Sequence, residues 1–192
     1  HRPCLDGKMT SKLKPDGAFL HIPRTGGTWV YRRLAEAGIA SIPLGHEHTS
    51  GHNEAWAFCV VRNPVEWWLS LWRFHQDNTF PGYQDAQHPL HDLGAMRDAN
   101  LREWVRRAST EFAGFCGDLY KQFASRSDYV LRSDEIRSQL KTLATIKHWR
   151  GIDFSAPPAN VSRAVTDTQD IDLEPLRNAE AEAIKIWLNS GI

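Results

Sequence analysis

The segment Gly17-Ala18-Phe19-Leu20-His21-Ile22-Pro23-Arg24-Thr25-Gly26-Gly27-Thr28 passes from an apolar run, through a proline and two glycines, into a helix-forming stretch. Ala18–Ile22 after a glycine is predicted as a short buried strand, and 23–27 has to be a loop. A helix is predicted from about Thr28, with Val30, Leu34 and Ala37 on one face and Gly38 as its stop. Strand, tight glycine loop and helix make the opening of an α/β phosphate-binding fold. Glycines let a backbone curl close to an anion with successive N–H groups turned inward, and the following helix adds its positive N-terminus. Thr25 and Thr28 offer hydroxyls, and Arg24 offers a permanent charge with forked donors. Taken alone, the turn reads equally well as a strand-to-helix connection without a ligand.

The same grammar returns forty residues later. Trp56-Ala57-Phe58-Cys59-Val60-Val61 is continuously apolar, as a parallel strand covered on both faces should be. Cys59 within it reads as a small buried hydrophobe. Asn63 then caps a helix, with Pro64 in the first turn and Glu66 three residues on in a capping-box pattern. Arg62 ends the buried strand, where a charge is costly without a partner. Ser70 follows two helical turns after the cap, on the side that returns toward the strand end. Arg62 and Ser70 are therefore expected to grip a second phosphate, apart from the one over the glycine loop. Two phosphate sites on one sheet point to a nucleotide phosphorylated at two positions.

Working outward, a short strand is predicted at 39–44, and 76–98 reads as a long loop or lid. Leu101, Trp104, Val105, Ala108 and Phe112 form the strongest helical stripe. A further strand is expected at Tyr129–Leu131, a helix from about Asp134 to Lys147, and one last helix carrying Leu176, Ala179, Ala183 and Trp187. The 192 residues fit one domain, with 1–16 expected as a flexible lead-in to a single domain over 17–192. Lys plus Arg and Asp plus Glu both total 23, which argues against nucleic-acid or membrane binding by bulk charge. Three scattered cysteines, Cys4, Cys59 and Cys116, fit neither a disulfide framework nor a zinc site. No apolar run suits a membrane span or a signal-peptide core, so a cytoplasmic location is expected.

The pair HIPRTGGT and FCVVRNPVEWWLSLW resembles the motifs of the sulfotransferase superfamily that uses 3′-phosphoadenosine 5′-phosphosulfate (PAPS), particularly its carbohydrate, heparan-sulfate-type branch. The resemblance touches most of 17–165, with the first two motifs its specific part. It implies a P-loop-like three-layer α/β fold with a mostly parallel central sheet flanked by helices. It also implies that Pro23, Arg24, Thr25, Gly26, Gly27, Thr28 and Trp29 bind the 5′-phosphosulfate, and that Arg62 and Ser70 bind the 3′-phosphate. PAPS would be the donor, 3′-phosphoadenosine 5′-phosphate (PAP) the product, and a small-molecule or glycan hydroxyl the acceptor, with no metal. The chain departs from the pattern twice: Arg24 replaces the usual loop Lys, and Trp67 stands where a second Arg is usual. Trp67 is read as core packing, with stacking on adenine or substrate as the alternative.

Sulfuryl transfer needs a base for the acceptor proton and a stabiliser for the departing phosphate oxygen. Some carbohydrate sulfotransferases resemble this chain in placing a His, or an HxH pair, between the two motifs. That implies His48 as base, with His46 and then Glu47 as alternatives, and Arg24 as the stabiliser. A metal reading of His46, His48 and His52 is weaker, because neither Cys nor Asp lies nearby. Asn160-Val161-Ser162 also fits the resemblance, and Arg163 is read as a surface residue. The rivals are a kinase-like phosphotransferase and a PAPS- or PAP-binding module without catalysis. The first would want the Walker lysine, and Gly27 occupies its position.

Overall fold

The computed structural model describes residues 17–39, 41–44, 56–77, 86, 88–157 and 170–192. The expected base residues His46, His48 and Glu47, the lead-in 1–16 and the segment 160–163 lie outside the described residues. The elements run β1 (Gly17–Leu20), α1 (Gly27–Glu36), β2 (Ser41–Leu44), β3 (Ala57–Val61) and α2 (Pro64–Asp77). After a 3-10 turn (His91–Met96) come α3 (Leu101–Thr110), α4 (Phe115–Ala124) and β4 (Tyr129–Arg132). A second 3-10 turn (Ser133–Glu135) leads to α5 (Ile136–Ile146), α6 (Glu174–Ala179) and α7 (Ala181–Leu188).

The four described strands are all parallel, in the order β2-β1-β3-β4. Pro43 lacks an N–H to give a ladder and sits in β2, at an edge, where that lack is tolerated. Side chains alternate between two cores. Ala18, Leu20, Ala57, Cys59 and Val61 face one made with α2, α3, α4, α6 and α7. Phe19, Phe58, Val60 and Leu131 face the other, made with α1 and α5. The sheet is thus covered by helices on both sides, which explains why β1 and β3 are apolar at every position. Connections leave β1 toward one edge and β3 toward the other. Keeping one crossover hand then requires α1 and the α2–α4 group on opposite faces, as found.

Two expectations are corrected. The expected last helix is two helices, α6 and α7, parted at Glu180, whose backbone opens to φ −106°, ψ 24°. The cause is tertiary. The Glu180 carboxylate is fully buried and accepts Trp68 Nε1–H (2.9 Å), the Cys116 N–H (3.2 Å) and the Gly117 N–H (3.1 Å). It thereby caps α4, whose N-cap residue Gly114 has no side chain to do so. The described part of 76–98 is also not a lid, because Leu90, Leu93 and Met96 are buried in the core and α2 extends to Asp77. Cys59 is buried as expected, and burial pushes its thiol up to about 12. Among the described residues, no helix is long and apolar enough to cross a membrane.

Candidate functional site: an anion cradle at the strand ends

Because β1 is followed by a connection to one edge and β3 by a connection to the other, the loops after their C-terminal ends diverge. Open α/β sheets bind ligands in the crevice this leaves. One wall is the loop from His21 to Gly26, and the other is Arg62-Asn63 and the start of α2.

The loop is built by specific locks. Gly26 takes φ +91°, and its carbonyl accepts the Trp29 N–H (3.0 Å), turning the chain into α1. At Gly27 a Cβ would run into the His21 ring, so His21 demands glycine there. A Walker-type lysine at that position would meet the same clash. Thr25 is buried and donates its hydroxyl proton to Ile22 O (2.8 Å), so in this conformation the hydroxyl shapes the loop rather than facing a ligand. Pro23 is buried and its carbonyl accepts Trp67 Nε1–H (2.8 Å). Thr28 stands half-exposed in the first turn of α1, and Gly26 is exposed.

Trp29 is placed differently from the reading that had it on the nucleotide. Its side chain packs in the core between α1 and α5 and donates Nε1–H to Ala156 O (3.2 Å), while its backbone N–H goes to Gly26. Neither donor is directed to the crevice, because the backbone N–H closes a tight turn onto Gly26 and the indole N–H is taken by Ala156.

Arg24 is the unusual residue of the loop. Its φ of 65° lies in the left-handed region that non-glycine residues seldom occupy. Its Nε and Nη2 donate to Ser70 Oγ (3.3 and 3.1 Å), and its guanidinium lies 4.6 Å from the Phe74 ring centre. Burial, and then the charge of Arg62, hold its pKa below the ordinary guanidinium value. A left-handed backbone at a half-buried cation beside a second cation makes Arg24 a candidate functional position.

Arg62 is fixed through its backbone. The Tyr120 hydroxyl accepts the Arg62 N–H (3.1 Å) and donates to the Arg62 carbonyl (2.7 Å). The side chain of Arg62 is partly exposed and pairs with Glu66 (3.3 Å). Asn63 Oδ1 caps α2 by accepting the Val65 and Glu66 N–H groups (3.1 and 3.3 Å), as its position predicted. Glu66 turns to Arg62 instead of completing a capping box. Ser70, expected beside Arg62, is buried and meets Arg24. The structure therefore brings Arg24 and Arg62 to neighbouring strand ends and ties Ser70 to the first of them.

Sequence reading missed Tyr120, Phe74 and His75. Phe74 was findable, since it stands four residues after Ser70 on the same helix face. His75 is buried edge-on to Trp104 (4.8 Å); burial, then Arg24 and then Arg97 push its pKa down to about 4. Trp67 is core packing, as read, yet it also supplies the indole donor that holds the loop. Among the described residues, no group of three His, Cys, Asp or Glu is placed to hold a metal ion.

The fold and the site define a parallel α/β protein with a candidate anion-binding crevice at its topological switch point. No protein-family model, curated protein or solved structure matches the chain.

Proposed function

We propose that this protein is a sulfotransferase that moves a sulfuryl group from PAPS to a hydroxyl on a small-molecule or glycan acceptor. The observation that carries the reading is the placement of Arg24 and Arg62 at neighbouring strand ends, over a glycine loop, in the crevice of a parallel sheet. A nucleotide with phosphates at 5′ and 3′ offers one anionic group to each arginine. The fold in this reading is of the P-loop-like kind, with the loop recast to hold a phosphosulfate without a Walker lysine.

In the proposed reaction the acceptor oxygen attacks sulfur in line, forming a new O–S bond. The bond from sulfur to the bridging oxygen breaks, and its electron pair leaves on the 5′-phosphate of PAP. The acceptor proton passes to His48 or His46, with Glu47 as the remaining alternative. Arg24 donates to the departing oxygen. In this scheme Gly26, Gly27 and Thr28 line the 5′ group, Pro23 and Thr25 shape the loop, and Arg62 takes the 3′-phosphate in exchange for Glu66.

Calorimetric titration with PAP, AMP and magnesium ATP tests the reading. The expected result is a strong preference for PAP over both, and a loss in Arg62→Ala of roughly ten- to hundredfold for PAP with little change for AMP. No preference for PAP, or a preference for magnesium ATP, sinks it in favour of a kinase-like phosphotransferase. Normal PAP binding with no sulfuryl transfer, and no effect of His46 or His48 substitution on any transfer, leaves a binding module without catalysis.

A further inference from the structure

The face that α2 turns toward the glycine loop carries Trp67, Ser70 and Phe74, spaced i, i+3 and i+7. Each touches the loop at a different point. Trp67 Nε1–H reaches the Pro23 carbonyl (2.8 Å), the last backbone acceptor before Arg24. Ser70 Oγ takes two N–H groups from one edge of the Arg24 guanidinium, and Phe74 lies under its face at 4.6 Å. The base of a long side chain and the plane at its tip are thus both set by one rigid helix. Lysine could not use this seat in the same way. Its ammonium has neither a planar face to lay on a ring nor a fork to straddle a hydroxyl.

We propose that Phe74 is a positioning residue for Arg24, matched to arginine at that place, with Trp67 holding the loop that carries it. The proposal rests on the PAPS reading above, since it assigns Phe74 a part in presenting Arg24 to the 5′ group of that nucleotide. Phe74 acts through Arg24 and needs no contact with the nucleotide. It also accounts for both departures from the usual motif pattern. Arg24 stands in place of lysine because Phe74 and Ser70 provide a seat for a planar cation. Trp67 stands in place of the second arginine because an indole donor fixes the loop.

The test is a double-mutant cycle read by calorimetric titration with PAP, with a thermal melt on every variant. Phe74→Leu keeps an apolar side chain and removes the aromatic face. It should weaken PAP binding by roughly three- to thirtyfold, the range of a partly desolvated cation–π contact. In the Arg24→Ala background the same change should cost less than about twofold, because the cation is already gone. Phe74→Tyr restores the face and should bind within about twofold of wild type. If Phe74→Leu melts below the assay temperature, Phe74→Met serves the same arm, being flexible enough to refill the site. Equal losses in the wild-type and Arg24→Ala backgrounds, or failure of Phe74→Tyr to bind, would overturn the assignment and leave Phe74 as packing. A wild-type chain that shows no preference for PAP over AMP overturns the PAPS reading and this one with it. A wild type that binds, with additive losses, overturns this one alone.

Discussion

Helix α2 draws two opposite charges out of water, and it treats them differently. On one side Trp68 meets the Glu180 carboxylate, which accepts three N–H groups from fixed positions and is fully enclosed. On the other side Trp67 holds the loop that carries Arg24, Ser70 and Phe74 touch its guanidinium, and Arg62 is a charged neighbour. Burial still raises the Glu180 pKa despite its three donors. Its backbone, however, keeps a negative φ, whereas that of Arg24 is left-handed. A charge placed to hold the fold together is matched by donors the fold already needs to satisfy, here the first turn of α4. Arg24 instead combines a half-buried guanidinium, a like-charged neighbour and a left-handed backbone, the pattern that the proposed anion site would use.

The comparison breaks first, and most visibly, at Glu180. Glu180→Ala leaves the Cys116, Gly117 and Trp68 N–H groups buried without an acceptor. It should cost about 3 kcal/mol or more, lowering the melting temperature by roughly 6–12 °C. PAP binding by the folded protein should be nearly unchanged. A melt within a degree or two of wild type would mean that water replaces the carboxylate and that the cap at α4 is dispensable.

Arg24→Gly tests the other side. It relieves the positive φ but gives up the contacts to Ser70 and Phe74, so the melting temperature should change little, while PAP binding falls by roughly ten- to hundredfold. A clear drop in melting temperature with binding intact would reverse the contrast and make Arg24 a structural residue like Glu180.

The last test concerns acid stability. The folded pKa of His75, about 4, lies below its ordinary 6.5. Between those values the unfolded chain takes up a proton that the folded chain refuses. Stability is then lost as pH falls from 6.5 toward 4, with a slope below about 1.4 kcal/mol per pH unit, and is unaffected above 6.5. His75→Gln should flatten that limb in a denaturant series taken from about pH 7 to pH 4. Arg24→Gly should flatten it in part, because Arg24 is the second cause of the shift. Parallel curves for wild type and His75→Gln would show that other groups set the acid limb.

Local pattern determined much of this protein. The apolar runs at 18–22 and 56–61, the glycine loop, the Asn63-Pro64 start of α2 and the Tyr129–Leu131 strand all depend on neighbours within a few residues, and each stands where its sequence places it. Helix and strand periodicity, capping and turn chemistry are short-range rules, so one chain suffices to read them. The tertiary structure alone decided what the buried polar atoms do. The Trp67 donor finds Pro23 forty-four positions away, and Trp68 finds Glu180 one hundred and twelve positions away. Glu180 parts the last helix where its carboxylate is held, Ser70 meets Arg24 instead of Arg62, and Thr25 and Trp29 spend their side-chain donors on Ile22 and Ala156. A buried donor must be satisfied by whatever acceptor the packing brings, and sequence spacing carries no record of which one that will be.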